Sequence, residues 1–284
     1  MLKRSTIQLL RFHFSLFLLP VYLFALSEAV SINAAKAIVA FIILHLLVYP
    51  ASNGYNSYMD RDVTPVGGLS SPLMPSRQLY FVSAAMDLLA VLGSFFISRT
   101  FVLGILLYIT ASRAYSYKGI RLKKFAIIGF LTVFIFQGAV VFYITCQAVQ
   151  SAETPVPLLS CLISSCLIGA LYPLTQIYQH DEDRKDGVQT ISMLFGKRGT
   201  FIFSMMMFLT ATFLIYLRLQ QENKQNHFVI YLLIMLPVVL YFLFWMRKVW
   251  MNSSEASFVN SMRMNLLATI CTSAFFITIT FLNH

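Results

Sequence analysis

Charged residues are scarce in this chain of 284 residues, and acidic residues are the scarcest. Asp, Glu, Lys and Arg make up 11% of the sequence, hydrophobic residues make up 58%, and the mean hydropathy is +0.74. Soluble domains carry about 25% charged residues, so the composition excludes an ordinary soluble protein. Cysteine is also rare, and the four cysteines show no metal-ligand spacing. We expect them to be buried thiols.

Long apolar runs fill most of the sequence. A transmembrane helix needs about 20 mostly apolar residues. Nine segments qualify, at roughly 11–30, 33–51, 79–98, 101–117, 125–147, 156–178, 199–217, 228–246 and 263–282. Their length and lack of strict alternation favour helices over barrel strands. The sequence therefore predicts an all-α, multi-pass integral membrane protein, with nine transmembrane helices in one bundle and a single domain over 1–284.

Basic residues indicate the orientation of these helices. If the N-terminus is cytoplasmic, all but four of the 21 Lys and Arg lie in or beside cytoplasmic connections. The four exceptions are Lys36, Arg99, Arg218 and Lys224. This bias predicts a cytoplasmic N-terminus and an outside C-terminus. It also accounts for the net charge of +10, and since no base-reading motif accompanies it, we expect no nucleic-acid partner.

Six of the 11 acidic residues lie in two short segments, 53–62 and 179–187, each directly after an apolar run. They are Asp60, Asp62, Asp181, Glu182, Asp183 and Asp186. Carboxylates at the ends of membrane helices are costly to hold away from water. Their clustering indicates a divalent metal, a cation path or a proton path.

Helical spacing places oxygen ligands on common faces. Asn56 and Asp60 are four residues apart, as are Gln179 and Asp183, and such pairs share a helix face. Amide and carboxylate oxygens suit Mg²⁺, which also keeps waters and substrate phosphate oxygens. Because both segments follow even-numbered spans, we expect them to meet at one cavity that faces the cytoplasm. The candidate metal ligands are Asn53, Asn56, Asp60, Asp62, Gln179 and Asp183.

Cations near these segments are candidates for binding phosphate. They are Lys118, Arg121, Lys123 and Arg184, and Tyr115 and Tyr117 lie beside them in the middle connection. Lys and Arg neutralise charge on phosphate leaving groups. The alternatives are that the cations only set the topology and that the tyrosines only belong to the interfacial belt.

Three polar segments carry a resemblance to a known family. They read Asn56-Ser57-Tyr58-Met59-Asp60 with Thr64, Tyr115-Ser116-Tyr117-Lys118-Gly119-Ile120-Arg121-Leu122-Lys123, and Gln179-His180-Asp181-Glu182-Asp183 with Gly187, Thr190 and Gly196. In order and in topological position they resemble the motifs of the UbiA superfamily of intramembrane prenyltransferases. The resemblance covers nearly the whole chain.

The resemblance implies Mg²⁺-dependent transfer of a prenyl group from an isoprenyl diphosphate to a lipophilic acceptor, an aromatic ring or a polyene, within the membrane. It implies catalytic roles for Asn56, Asp60 and Asp183, and membrane lipids as surroundings. Three positions depart from the family pattern, because Ser57, Thr64 and Gln179 stand where the motifs have Asp. Shifted carboxylates, Asp62 and Asp181, would compensate.

Two other functions stay open at the level of sequence. Intramembrane carboxylates also occur in cation transporters, which need charges or broken helices near the bilayer midplane. The motif departures are equally compatible with a catalytically degenerate relative that only binds. Asp87, inside the third span, is either a structural partner or a cavity residue. We expect His180 at the surface and not as a ligand.

Overall fold

The structure is a computed structural model that describes residues 1–151 and 154–283. Helices account for 79% of the chain, and the described residues form no strand. The long helices are α1 (Arg4–Ser27), α2 (Ala34–Asp60), α3 (Arg77–Ser94), α4 (Arg99–Ser116), α5 (Ala126–Val149), α6 (Leu158–Thr175), α7 (Ile191–Gln221), α8 (Asn226–Met251) and α9 (Phe258–Asn283). The short helix His180–Lys185 lies between α6 and α7. The expected all-α fold is confirmed.

Seven of these helices are long and apolar enough to cross a membrane. The two others are α3 and α4, each 18 residues long. Each of them begins with an arginine, Arg77 or Arg99, and carries one charged residue further along, Asp87 in α3 and Arg113 in α4. Length and composition therefore confirm seven membrane-crossing helices where the sequence predicts nine.

The helices form a closed ring. Around it, α1 contacts α2, α2 contacts α4, and α4 to α9 contact one another in chain order until α9 returns to α1. Helix α3 packs outside the ring against α2 and α4. At one end the segments Leu19–Ser27 of α1 and Val141–Val149 of α5 also meet, which closes the interior there. The polar cavity lies towards the other end.

Two partly buried ion pairs join helices of the bundle. Glu28, at the end of α1, accepts hydrogen bonds from Arg218 Nε of α7 at 2.8 Å and from Ser160 Oγ of α6 at 2.9 Å. Asp87 of α3 pairs with Arg113 of α4, which settles the open question in favour of a structural partner. All four cysteines are free and buried, as the sequence predicts.

Several helices depart from regular geometry. The stretches Ile42–Val48 of α2 and Phe134–Val140 of α5 are wider π-helical segments, and α6 tightens to a 3₁₀ turn at Pro173. A Cβ placed on Gly138, inside the π segment of α5, would lie 2.4 Å from Ser165 Cα of α6. Only glycine permits this approach of the two backbones.

Candidate functional site

A cavity of about 240 Å³ lies inside the helix ring. Side chains of α1, α2, α4, α5 and α6 line it, together with Asn265 of α9. The connections 61–76, 117–125 and 176–190 cover its polar end. Eight of the site residues expected from sequence line this cavity: Asn53, Asn56, Asp60, Asp62, Tyr115, Lys123, Gln179 and Asp183.

The end of α2 forms one side of the polar region. The helix stops at Asp60 because Arg61 adopts the left-handed conformation, with φ +58°. The chain then reverses, so Asp62 also reaches the cavity. Asn56, one turn before Asp60, donates from Nδ2 to Ser116 Oγ of α4 at 3.1 Å, and both residues line the cavity.

The short helix forms the opposite side. Gln179 precedes its first turn, and its Nε2 donates to the Pro65 carbonyl at 3.2 Å, which joins the two acidic connections. Asp183 follows one turn later, since its backbone N–H donates to the Gln179 carbonyl at 2.9 Å. The helix ends before Gly187, whose φ is +65°. The two acidic segments therefore meet across one cavity.

Cations from the middle connection lie between the acidic segments. Lys123 Nζ pairs with Asp60 Oδ2. Arg121 Nη2 lies 3.5 Å from Asp60 Oδ1 and 2.9 Å from Asp186 Oδ2. Arg121 thereby joins the first acidic segment to the second, although its side chain lies outside the cavity lining.

The gathered carboxylates shift each other's ionisation. Burial, reinforced by the negative charge of Asp60, raises the pKa of Asp62 from 3.8 to about 6. Burial also raises the pKa of Asp183 from 3.8 to about 7, and Asp62 and Asp60 add to this effect while Lys123 opposes it. Removing a neighbouring negative charge or adding a cation would lower the pKa of both carboxylates.

Three other expected residues lie away from the cavity lining. Lys118 and Tyr117 are exposed on the middle connection. Arg184 is exposed and contacts Asp181, whose side chain is 93% exposed. The suggestion that Asp181 compensates for Gln179 is therefore wrong, because the first turn of the short helix turns Asp181 to solvent.

Sequence reasoning missed Arg11. Its left-handed backbone, with φ +49°, breaks α1, and its guanidinium donates to the Gly67 carbonyl and the Asn53 carbonyl, each at 3.1 Å. The side chain is 5% exposed and lines the cavity. The available signal was a lone arginine within the first apolar run, which was counted only towards the charge bias that sets the topology.

One further side chain, His180, differs from the sequence expectation, and one pair of tyrosines adds a contact. His180 is 9% exposed, and its Nε2 lies 2.8 Å from Ser192 Oγ, so the expected surface position is wrong. The histidine instead ties the short helix to α7. The hydroxyl groups of Tyr115 and Tyr172 are hydrogen-bonded to each other on the cavity wall.

The residues present fit a hard divalent cation. Within the described part of the chain, no three His, Cys, Asp or Glu side chains converge as a preformed metal site. Mg²⁺ does not require one, since it is held by one or two carboxylates plus waters and substrate phosphates. Asp60 Oδ1 is buried and accepts no hydrogen bond from the described residues, and its contact with Arg121 is an ion pair at 3.5 Å. The neighbouring cavity groups supply further oxygen atoms.

This geometry defines a helical membrane protein with an acidic, cation-bridged cavity at one end of the bundle. The sequence model of the UbiA prenyltransferase family matches residues 16–267. The chain belongs to the UbiA prenyltransferase family, and it is an enzyme of the prenyltransferase class.

Solved structures share the fold over nearly the full length. A UbiA homolog from Archaeoglobus fulgidus bound to GPP and Mg²⁺ is 17% identical, with a TM-score of 0.70, and the match covers 97% of this chain and 99% of that one. A UbiA homolog from Aeropyrum pernix K1 is 19% identical, with a TM-score of 0.69 and coverage of 94% and 97%.

A digeranylgeranylglyceryl phosphate synthase is 19% identical, with a TM-score of 0.64, and the match covers 98% of both chains. At these identities the likeness is one of fold. No curated protein sequence is significantly similar to this chain.

Proposed function

We propose that this protein transfers a prenyl group from an isoprenyl diphosphate to a lipophilic acceptor inside the membrane, with Mg²⁺ as cofactor. One observation carries the proposal: Asp60 and Asp62 face Asp183 across a single cavity, with Lys123 between them. This pattern of opposed carboxylates and an intervening cation suits a metal-bound diphosphate. The UbiA homolog from Archaeoglobus fulgidus bound to GPP and Mg²⁺ supports it by analogy of fold.

The ligands would come from both acidic segments. Asp60, Asp62 and Asp183 would supply carboxylate oxygens, and the amides of Asn53, Asn56 and Gln179 would supply neutral ones. Bound Mg²⁺ would neutralise the diphosphate and make it a better leaving group. Ser57 stands where the family pattern has Asp, and it is 4% exposed and outside the cavity lining. This position therefore supplies no carboxylate to the site.

Three cations of the site would act on the diphosphate or its ligands. Lys123 and Arg11 both line the cavity, and from there they would donate hydrogen bonds to phosphate oxygens. Arg121 would hold Asp60 and Asp186 in place from outside the lining. Cations that are already positioned stabilise developing charge without reorganisation.

In the reaction the bond between the allylic carbon and the diphosphate oxygen breaks, and the electron pair leaves with the diphosphate. A carbon of the acceptor then forms a bond to the allylic cation and loses a proton, which the released diphosphate accepts. The chain's own contribution is to orient both substrates and to exclude water that would quench the cation. Tyr115, Tyr172 and Phe136 are among the residues that line the cavity, and the π face of an aromatic ring would stabilise a cation there.

We further propose that 1–284 is one UbiA-like domain with nine crossings, a cytoplasmic N-terminus and an outside C-terminus. The basic connections support this orientation, because the Lys and Arg around the acidic cavity lie at the same end of the bundle. The cavity would then open towards the cytoplasm, where diphosphates are made available to it.

The test uses purified protein in nanodiscs with radiolabelled prenyl diphosphates of several lengths and a membrane lipid extract. We expect a new lipophilic product that requires Mg²⁺ and disappears with EDTA. Asp60→Ala and Asp183→Ala should each abolish it, provided that the variants keep the wild-type melting temperature.

The alternatives give different results in the same experiment. Bound diphosphate without turnover across the panel would indicate a degenerate relative that only binds. Absence of diphosphate binding would contradict the proposal and favour a carboxylate-lined transporter.

A further inference from the structure

Both carboxylate oxygens of Asp60 face a cation from the middle connection. Lys123 Nζ donates to Oδ2, and Arg121 Nη2 lies 3.5 Å from Oδ1. The Asp60 side chain is 4% exposed, and those of Lys123 and Arg121 are 12% and 15% exposed. Water and salt screen charges at such depth only weakly. The carboxylate proposed as a metal ligand is therefore neutralised by cations of the chain itself.

These two cations are held in different ways. Arg121 has a left-handed backbone, with φ +51°, and its guanidinium also donates to the Asp186 side chain at 2.9 Å and to the Asp186 carbonyl at 3.3 Å. Among the described residues, Lys123 Nζ donates to Asp60 alone. A lysine ammonium is a point charge on a flexible stem, whereas a guanidinium is a rigid fork. Lys123 is therefore the cation that can change partners, and Arg121 is the one that stays.

The charge of Lys123 acts on the other carboxylates of the cavity as well. It opposes the rise that burial causes in the pKa of Asp62 and of Asp183. Since coulombic effects weaken with distance, Lys123 lies close to all three carboxylates, and it lines the cavity with them. One ammonium group thus lies within the proposed metal site.

A divalent cation and Lys123 compete for the same oxygens. Mg²⁺ binds one or two carboxylates directly, and like charges held close together disfavour each other. A metal on Asp60 Oδ2 would break the pair with Lys123 and leave a largely buried ammonium without its counter-ion, which is costly. The metal by itself should therefore bind weakly here.

A diphosphate group removes this conflict. Its oxygens accept charge-assisted hydrogen bonds from lysine, and Lys123 lines the cavity in which the diphosphate would bind. Lys123 can then exchange Asp60 for a phosphate oxygen by a movement of its own side chain, which leaves Asp60 Oδ2 for the metal. Arg121 keeps Asp60 and Asp186 in position during the exchange, because it contacts both.

Resting on the proposed prenyl transfer, we propose that Lys123 makes metal binding conditional on the diphosphate. While Lys123 pairs with Asp60, it keeps a divalent cation from binding tightly. When a diphosphate enters, Lys123 moves to it, and metal and diphosphate bind together. Lys123 therefore opposes the metal alone and supports the metal with its substrate, whereas a residue that only binds diphosphate would not oppose the metal.

The test measures metal affinity and diphosphate affinity separately, on the full-length protein in nanodiscs of zwitterionic lipid. Mn²⁺, which shares the oxygen-ligand preference of Mg²⁺, is titrated alone and followed by electron paramagnetic resonance. Binding of radiolabelled geranyl thiolodiphosphate, an unreactive analogue of geranyl diphosphate, is measured with Mg²⁺. We expect Lys123→Met to tighten Mn²⁺ binding about tenfold and to weaken analogue binding about tenfold, because one neighbouring charge shifts such equilibria by about tenfold or more.

Lys124→Met is the matched control. Lys124 is the next residue and is exposed, so both affinities should stay within about twofold of the wild type. Lys123→Gln removes the same charge and keeps a polar side chain. It should shift both affinities in the same directions as Lys123→Met, and it replaces that variant if the methionine lowers the melting temperature.

Diphosphate release by the wild type separates the two proposals. If the wild type neither binds the analogue nor releases diphosphate from geranyl diphosphate with Mg²⁺, the proposed function itself fails. If release is intact but the Lys123 variants bind Mn²⁺ no more tightly than the wild type, the proposed exchange is overturned, and Lys123 is only a diphosphate ligand. Unchanged analogue binding in these variants would also overturn it.

Discussion

At the scale of single residues, the small number of charges in the cavity determines how its groups ionise and bind. Three carboxylates and two cations line it, so each one alters the ionisation or binding behaviour of the others. Whether a charged side chain reaches the site depends on its position along the chain. Lys123 contacts Asp60, whereas Lys124, the next residue, is exposed.

The pair Lys123 and Lys124 provides a matched test of phosphate binding. We expect Lys123→Met to raise KM for the prenyl diphosphate about 10- to 100-fold, because a charge-assisted hydrogen bond contributes about 1.5–3 kcal/mol. Lys124→Met should stay within about twofold, as removal of an exposed charge does. Steady-state kinetics on both variants checks this, and equal effects would place the diphosphate elsewhere.

The raised pKa values predict how metal binding depends on pH. The pKa of Asp183 is about 7 in the folded protein, raised from 3.8. The folded state therefore holds this proton more tightly than the unfolded chain, and the stability that it contributes is lost as the pH rises towards about 7. A metal binds the deprotonated form and offsets this loss. We therefore expect Mg²⁺ to raise the melting temperature more at pH about 8 than at pH about 5.5, measured by thermal shift in detergent.

Asp183→Asn should remove most of that difference between the two pH values. Asp181→Asn should preserve it, because the Asp181 side chain is 93% exposed. A Mg²⁺ shift that does not depend on pH in the wild type would contradict the assignment of Asp183 to the metal site.

At the scale of helices, departures from regular geometry coincide with the site. The π segment of α5 contains Gln137 and Gly138, and at Gly138 the backbone of α5 lies close to Ser165 of α6. The 3₁₀ turn at the end of α6 places Tyr172 against Tyr115 of α4. Irregular turns of this kind often occur at functional sites in helices.

Two glycines test the packing of α5 on α6. A Cβ at Gly138 would lie 2.4 Å from the backbone of Ser165, while one at Gly93 of α3 would meet only the Ile43 side chain at 3.3 Å. We expect Gly138→Ala to destabilise the fold by roughly 1–3 kcal/mol through overpacking. Gly93→Ala should be neutral or gain up to about 1 kcal/mol from helix propensity. Thermal unfolding in detergent distinguishes them, and equal melting temperatures would show that α6 can shift.

Sequence periodicity was most informative for the helices and their ends. The 3.6-residue period placed Asn56 and Asp60 on one face, and the structure has them on one helix that ends at Asp60. Residues in the connections were harder to predict. The conformation of the short turns decides which way the side chains of Lys118, Arg184 and Asp181 point. The Arg11 side chain points inward because it donates to carbonyl groups from distant parts of the chain. Residue spacing within one segment predicts neither of these features.

At the scale of the whole molecule, the open question concerns α3 and α4. Seven other helices satisfy the length and composition needed to cross a membrane. Helices α3 and α4 pack against α2, and their charges Asp87 and Arg113 neutralise each other. We attribute their low apolarity to this pairing, and we expect both to cross.

A cysteine at position 96 tests that topology. Phe96 lies between α3 and α4 and is 84% exposed, while the four native cysteines are buried. We expect a membrane-impermeant maleimide to label Phe96→Cys from the same side as Asn223→Cys, between α7 and α8. Lys118→Cys should label from the opposite side. Labelling of position 96 together with position 118 would mean that α3 and α4 do not cross.

The central claim is that Asp183, together with Asp60 and Asp62, holds the metal that activates a prenyl diphosphate. The most direct measurement compares Mg²⁺-dependent diphosphate release from geranyl diphosphate in Asp183→Asn and Asp181→Asn, two neighbouring positions of the same short helix. We predict a loss of about 100-fold or more in Asp183→Asn, as expected when several kcal/mol of metal stabilisation is removed, and near wild-type release in Asp181→Asn. Equal activity of the two variants would contradict the account.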